Sequence, residues 1–147
     1  MIESYESFNN ALLEFTSQFN KIDKSLPIKV VSHFDCDGIS AAAIITQTLK
    51  REKIKFSLSI LRQITNQNLQ EIALEPYKTI LFLDLGSGNV DLLEEFLKDK
   101  SVFILDHHLP KKETSFIHLN PHNHNIVNDK SISASGLAYF FSKTFEI

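Results

Sequence analysis

Residues 79–86 read TILFLDLG, five β-branched or apolar residues in an unbroken run that ends in an aspartate and a glycine. A strand with one wet face alternates apolar and polar residues; a strand covered on both faces does not, and such strands belong to parallel sheets sandwiched between helices. SVFILDHH (101–108) repeats the pattern, and IKVVSHF (28–34) is a shorter β-branched version. Between these runs the spacing turns helical, in GISAAAIITQTLKRE (38–52), in NQNLQEIAL (66–74) stopped before Pro76, and in NVDLLEEFLKDK (89–100). KFSLSIL (55–61) alternates as a strand, FIHLNP (116–121) reads as another short one, and SISASGLAYFFSKTFEI (131–147) closes with a helix. Strand and helix alternate without repeats, which predicts an α/β fold: a doubly wound, mostly parallel sheet of order 2-1-3-4-5 flanked by helices. Upstream, Ile2, Tyr5, Phe8, Leu12, Phe15, Phe19 and Ile22 recur at steps of three and four, the stripe of an N-terminal amphipathic helix. Residues 1–26 are therefore read as a docking helix and linker, ended by Pro27.

Composition sets the limits. With 147 residues, 43% hydrophobic content and 12 phenylalanines, the chain can bury one substantial core, and residues 1–147 are expected to form one domain. A formal charge of −3 excludes an overall basic field, so any hold on a polyanion must be local. Cys36, the single cysteine, offers neither a disulfide nor a zinc-finger spacing; that fits a reducing cytoplasm, and no apolar run approaches a membrane span.

Three apolar strands end in acid: His33-Phe34-Asp35-Cys36-Asp37-Gly38, Leu83-Asp84-Leu85-Gly86, and Leu105-Asp106-His107-His108. In the predicted sheet these ends are neighbours, at the break in strand order where doubly wound folds bind ligands. Asp35, Asp37, Asp84, Asp106 and His107, with His33 beside them, would crowd one crevice, where several carboxylates are tolerable only with a neutralising cation. Carboxylates plus imidazoles suit Mn²⁺ better than Ca²⁺, with Mg²⁺ as the alternative. A two-metal site needs a bridging carboxylate; Asp84, on the middle strand, is expected to be it. Gly38 opens a helix whose N–H groups would offer a phosphate site, and Lys111 lies close enough after the histidines to meet a substrate phosphate. Cys36 reads as filler in its turn, and His118, His122 and His124 as surface or hydrogen-bonded residues of an Asn-rich loop. Phe140, Phe141 and Phe145 are expected to present an aromatic face to a partner.

HFDCDG, FLDLGSG and LDHHLP, in this order, resemble motifs I to III of the DHH phosphoesterase superfamily, and with NPH (120–122) and SISASGLAY (131–139) the chain is similar to the archaeal RecJ-like nucleases over residues 28–145. The resemblance implies Mn²⁺- or Mg²⁺-dependent hydrolysis of single-stranded DNA or RNA in replication or repair. It implies Asp35, Asp37, Asp84, Asp106 and His107 as metal ligands, His33 as a further ligand or neighbour, and His108 against the scissile phosphate, so that Asp84, His107 and His108 form the catalytic set. Family members continue past the last helix into a fourth metal-binding motif and a nucleic-acid-binding domain, whereas this sequence ends at Ile147. The expectation is thus a truncated DHH domain whose site a second chain completes, either a RecJ-like C-terminal half or a GINS-type replication factor. Two alternatives stand beside it: a non-catalytic scaffold that associates with GINS in the replicative helicase, and a small-substrate phosphatase or oligoribonuclease.

Overall fold

A computed structural model describes residues 1–127 and 131–146. Its elements are α1 (Ile2–Asn20), β1 (Ile28–His33), α2 (Cys36–Arg51), β2 (Phe56–Leu61), α3 (Asn66–Leu74), β3 (Thr79–Leu83), α4 (Val90–Leu97), β4 (Ser101–Leu105), β5 (Ile117–Leu119) and α5 (Ala134–Lys143), with 3-10 turns at Pro121–His124 and Thr144–Glu146. The strands form one five-stranded sheet of order β2-β1-β3-β4-β5, parallel at every pairing. The doubly wound order expected above is the observed one.

The unbroken apolar runs have a simple cause. Val30, Leu81, Leu83, Phe103, Leu105 and Leu119 point to one face, where α1, α2 and α5 cover them. Val31, Ile80, Phe82, Val102 and Ile104 point to the other, beneath α3 and α4. Because successive side chains alternate between faces, both faces being dry removes the polar alternation. Helix starts follow local chemistry: Thr65 and Asn68 make a reciprocal capping box on α3, and Ser133 caps α5 through Gly136 N–H.

Helix α1 docks through aromatic rings. Phe15 and Phe19 stand edge-on to Phe103 and Phe141, with centroids 5.1–5.5 Å apart. This corrects the expected aromatic face on the last helix: Phe141 is buried and Phe145 packs on Phe19, while Phe140 alone of the three stays exposed. The reason is that α1, remote in sequence, reaches α5 and covers those rings. The expected continuation of that helix to Ile147 ends outside the described residues. No described helix is long and apolar enough to cross a membrane.

Candidate metal centre

Register brings the three acidic segments into line. Ser32 pairs with Leu83 and Leu83 with Leu105, so His33, Asp84 and Asp106 leave the sheet side by side. Asp84 turns at once into the left-handed region, with φ 59°, a conformation uncommon outside glycine and concentrated at functional sites. It is 1% exposed.

Two groups of ligand atoms share this aspartate. His33, Asp35 and Asp84 bring one atom each within 4.8 Å of one another, and Asp84, His107 and His108 do the same. His33 Nδ1 stands 3.0 Å from Asp35 Oδ2 and 3.3 Å from Asp84 Oδ2. His107 Nε2 stands 3.2 Å from Asp84 Oδ1 and 3.4 Å from Asp37 Oδ2.

The tautomer of His33 follows from its other nitrogen. Nε2 lies 3.1 Å from the Arg62 carbonyl, which can only accept, so Nε2 carries the proton. In the neutral ring Nδ1 then turns a lone pair toward two carboxylates. That atom and both Asp84 oxygens are buried without a well-directed hydrogen bond, a costly state in an apo site and the state a cation would relieve. An imidazole that anchors one nitrogen on a backbone carbonyl and offers the other is the usual posture of a metal-ligating histidine. The donor set fits a divalent cation of the Mn²⁺ or Mg²⁺ kind.

Charge perturbs each group in the expected sense. Burial, then the neighbouring charges of Asp35 and Asp37, push the Asp84 carboxyl up despite the opposing bond from His107. The bond to Asp84 raises His107. The bond to Asp106 pushes His108 up to about 9. The Gly38 N–H holds Asp35 down.

Other residues named from the sequence take different places. Asp106 spends its oxygens locally: Oδ2 accepts from Ser87 N–H at 2.9 Å, and Oδ1 accepts from His107 N–H and lies 2.7 Å from His108 Nδ1. Burial pushes its carboxyl up, but these bonds outweigh burial and leave it low. Asp37 accepts from the N–H groups of Ala134 and Ser135 at the start of α5. The Gly38 N–H is not free for a phosphate, because Asp35 Oδ1 takes it at 2.9 Å as the cap of α2. Glycine is required there for another reason: a Cβ would fall 2.3 Å from the His33 carbonyl oxygen. Lys111 turns away, its Nζ 3.2 Å from Asp91 on α4.

A cleft of about 430 Å³ opens beside Asp84, bounded by His33, Arg62, Gly88, Asn89 and His108. Arg62 was not singled out from the sequence. It stands over the exposed Phe34 ring, 5.1 Å from its centroid, and its position just past the end of β2, next to β1, is the signal that would have pointed to it.

Residues 27–146 match the model of the DHH family, N-terminal domain, leaving α1 outside. An uncharacterised protein of Methanocaldococcus jannaschii is 29% identical over 91% of the chain and 34% of its own length. A cell division control protein 45 homolog of Dictyostelium discoideum is 33% identical over 52% of the chain and 13% of its own length. Among solved structures, exonuclease RecJ bound to manganese superposes with a TM-score of 0.77 at 22% identity, over 90% of this chain and 36% of that one. CDC45 from Entamoeba histolytica gives 0.61 at 18% identity, over 97% and 30%. The chain thus spans about a third or less of these proteins.

Proposed function

This chain belongs to the DHH family, and we propose that it carries the metal-binding side of a RecJ-like phosphodiesterase site acting on single-stranded DNA or RNA, with further protein completing the site. The observation that carries the reading is Asp84, strained, buried and shared by two ligand groups, with both oxygens lacking a partner. His33, Asp35 and Asp84 would hold one divalent cation, Mn²⁺ by preference, and Asp84, Asp37 and His107 a second. Asp106 would act by orienting His107 and His108, or as a ligand after its bonds rearrange. Bound cations of this class supply Lewis-acid polarisation of a phosphoryl oxygen and an acidified water. His108 is protonated at neutral pH, so its free Nε2–H can donate to a substrate phosphate oxygen. Arg62 supplies the cation on the opposite side of the cleft.

The test is incubation of 5′-labelled single-stranded DNA and RNA with the chain and Mn²⁺, alone and with a co-purified protein, beside Asp84→Asn. Mn²⁺-dependent release of mononucleotides, lost in the variant, is expected. A second reading, a replication scaffold engaging a GINS-type factor, is favoured by the 82-residue stretch at 33% identity to the cell division control protein 45 homolog. Binding of a replication factor without cleavage under any metal would select it.

A further inference from the structure

We propose that Asn120 is a positioning residue of the metal centre, locking the turn that carries Asp106, His107 and His108 and directing a hydrogen-bond chain that ends on His118. The metal half of the proposal rests on the reading above; the hydrogen-bond chain stands without it.

Asn120 lies just after β5 and is fully buried, as is Ser87 on the loop after β3. Its amide orientation is fixed by two partners that allow no exchange. The His108 carbonyl, 2.8 Å from Nδ2, can only accept, and His122 N–H, 2.9 Å from Oδ1, can only donate. One Nδ2 hydrogen therefore goes to His108 O, leaving the other for Ser87 Oγ at 2.9 Å. Ser87 is thereby an acceptor toward Asn120 and must place its own proton elsewhere. His118 Nε2 lies 2.9 Å from that oxygen, so the hydroxyl donates to it and His118 is the neutral ring with its proton on Nδ1. Burial lowers the His118 pKa, in keeping with a neutral ring.

The chain closes on the metal turn from two directions. Ser87 donates its backbone N–H to Asp106 Oδ2, while Asn120 holds the carbonyl of His108, whose ring Asp106 grips through Oδ1. One amide thus ties the loops after β3, β4 and β5 together. Asp106 is the competing acceptor for the Ser87 hydroxyl, and its electrostatic influence from Ser87 is present; were the proton delivered there, His118 would have to donate from Nε2. The tautomer of His118 decides between the two.

The experiment uses the whole chain. Imidazole nitrogen NMR on metal-free protein should show His118 protonated on Nδ1. Asn120→Asp keeps the acceptor for His122 N–H and removes both donors; the Ser87 proton then turns to the new carboxylate, and His118 should switch to Nε2–H. Calorimetric titration with Mn²⁺ should show affinity reduced about tenfold or more, the scale of outer-shell substitutions. An Nε2–H tautomer in the wild type, or an unswitched tautomer with unchanged Mn²⁺ affinity in Asn120→Asp, overturns the proposal. Should Asn120→Asp fail to fold, Ser87→Ala carries the test: a mixture of His118 tautomers supports the chain, and an unaltered single tautomer overturns it. A wild type that binds no Mn²⁺ overturns the proposed function, while the tautomers still decide the chain.

Discussion

At the amino end of the sheet Lys29 is buried inside β1, and at the carboxyl end of β3 Asp84 is buried just as deeply. The two charges are treated differently. Lys29 Nζ meets both Glu75 oxygens, at 2.8 and 3.0 Å, and lies over the Tyr77 ring, while Lys100 Nζ satisfies the carbonyls of Glu75 and Tyr77. Asp84 faces Asp35, Asp37 and imidazole lone pairs, with no well-directed bond to either oxygen. A charge neutralised within the chain holds the fold together. A charge left facing its own kind costs stability and is kept for something outside the chain.

The contrast can be broken at either end. Removing the partnered charge should do most harm: Lys29→Ala is expected to lower unfolding stability by about 3 kcal/mol, the low end for a broken buried pair because Glu75 is a third exposed, with the Mn²⁺-induced rise in Tm intact. Urea melts with and without Mn²⁺ would show it. Gly38→Ala should cost about 2 kcal/mol by driving a methyl group into the His33 carbonyl and should also blunt the Mn²⁺ response, because the α2 cap carries Asp35. Asp84→Asn should act the other way, raising metal-free stability by about 1 kcal/mol, as relief of a strained functional site commonly does, and abolishing the Mn²⁺ shift. Asparagine tolerates the left-handed backbone, so the charge alone is tested. A fall in metal-free Tm for Asp84→Asn would mean that the carboxylate is already satisfied.

The smallest effect concerns pH. The His107 pKa is raised in the folded chain, so its stabilising pair with Asp84 is complete below the ordinary histidine value and is lost as pH rises through the folded value. A metal needs the neutral ring, so the Mn²⁺-induced Tm rise should grow between about pH 6 and pH 8 as the metal-free chain surrenders that proton. A flat profile would remove His107 from the ligand set.

Much of the fold was legible because it rests on local periodicity. The run TILFL could be read as a doubly covered strand without knowing which helices cover it, and NQNLQEIAL begins and ends where its capping Thr65 and the following Glu75-Pro76 predict. The burial of Phe141 and Phe145 was not legible, since it depends on where a helix more than a hundred residues away comes to rest.

By itself the sequence determined the five strands, their order around the crevice, and the arrival of Asp35, Asp84 and the His107-His108 pair at one edge, because residue periods and strand ends are properties of short segments. Only the tertiary structure decided what each polar atom does there: that the Gly38 N–H belongs to Asp35, that Asp106 is tied to Ser87 and His108, that Lys111 leans to Asp91, and that Asn120 joins three loops. A hydrogen bond depends on distance and angle to a few tenths of an ångström between segments far apart in the chain. No spacing within one segment encodes that.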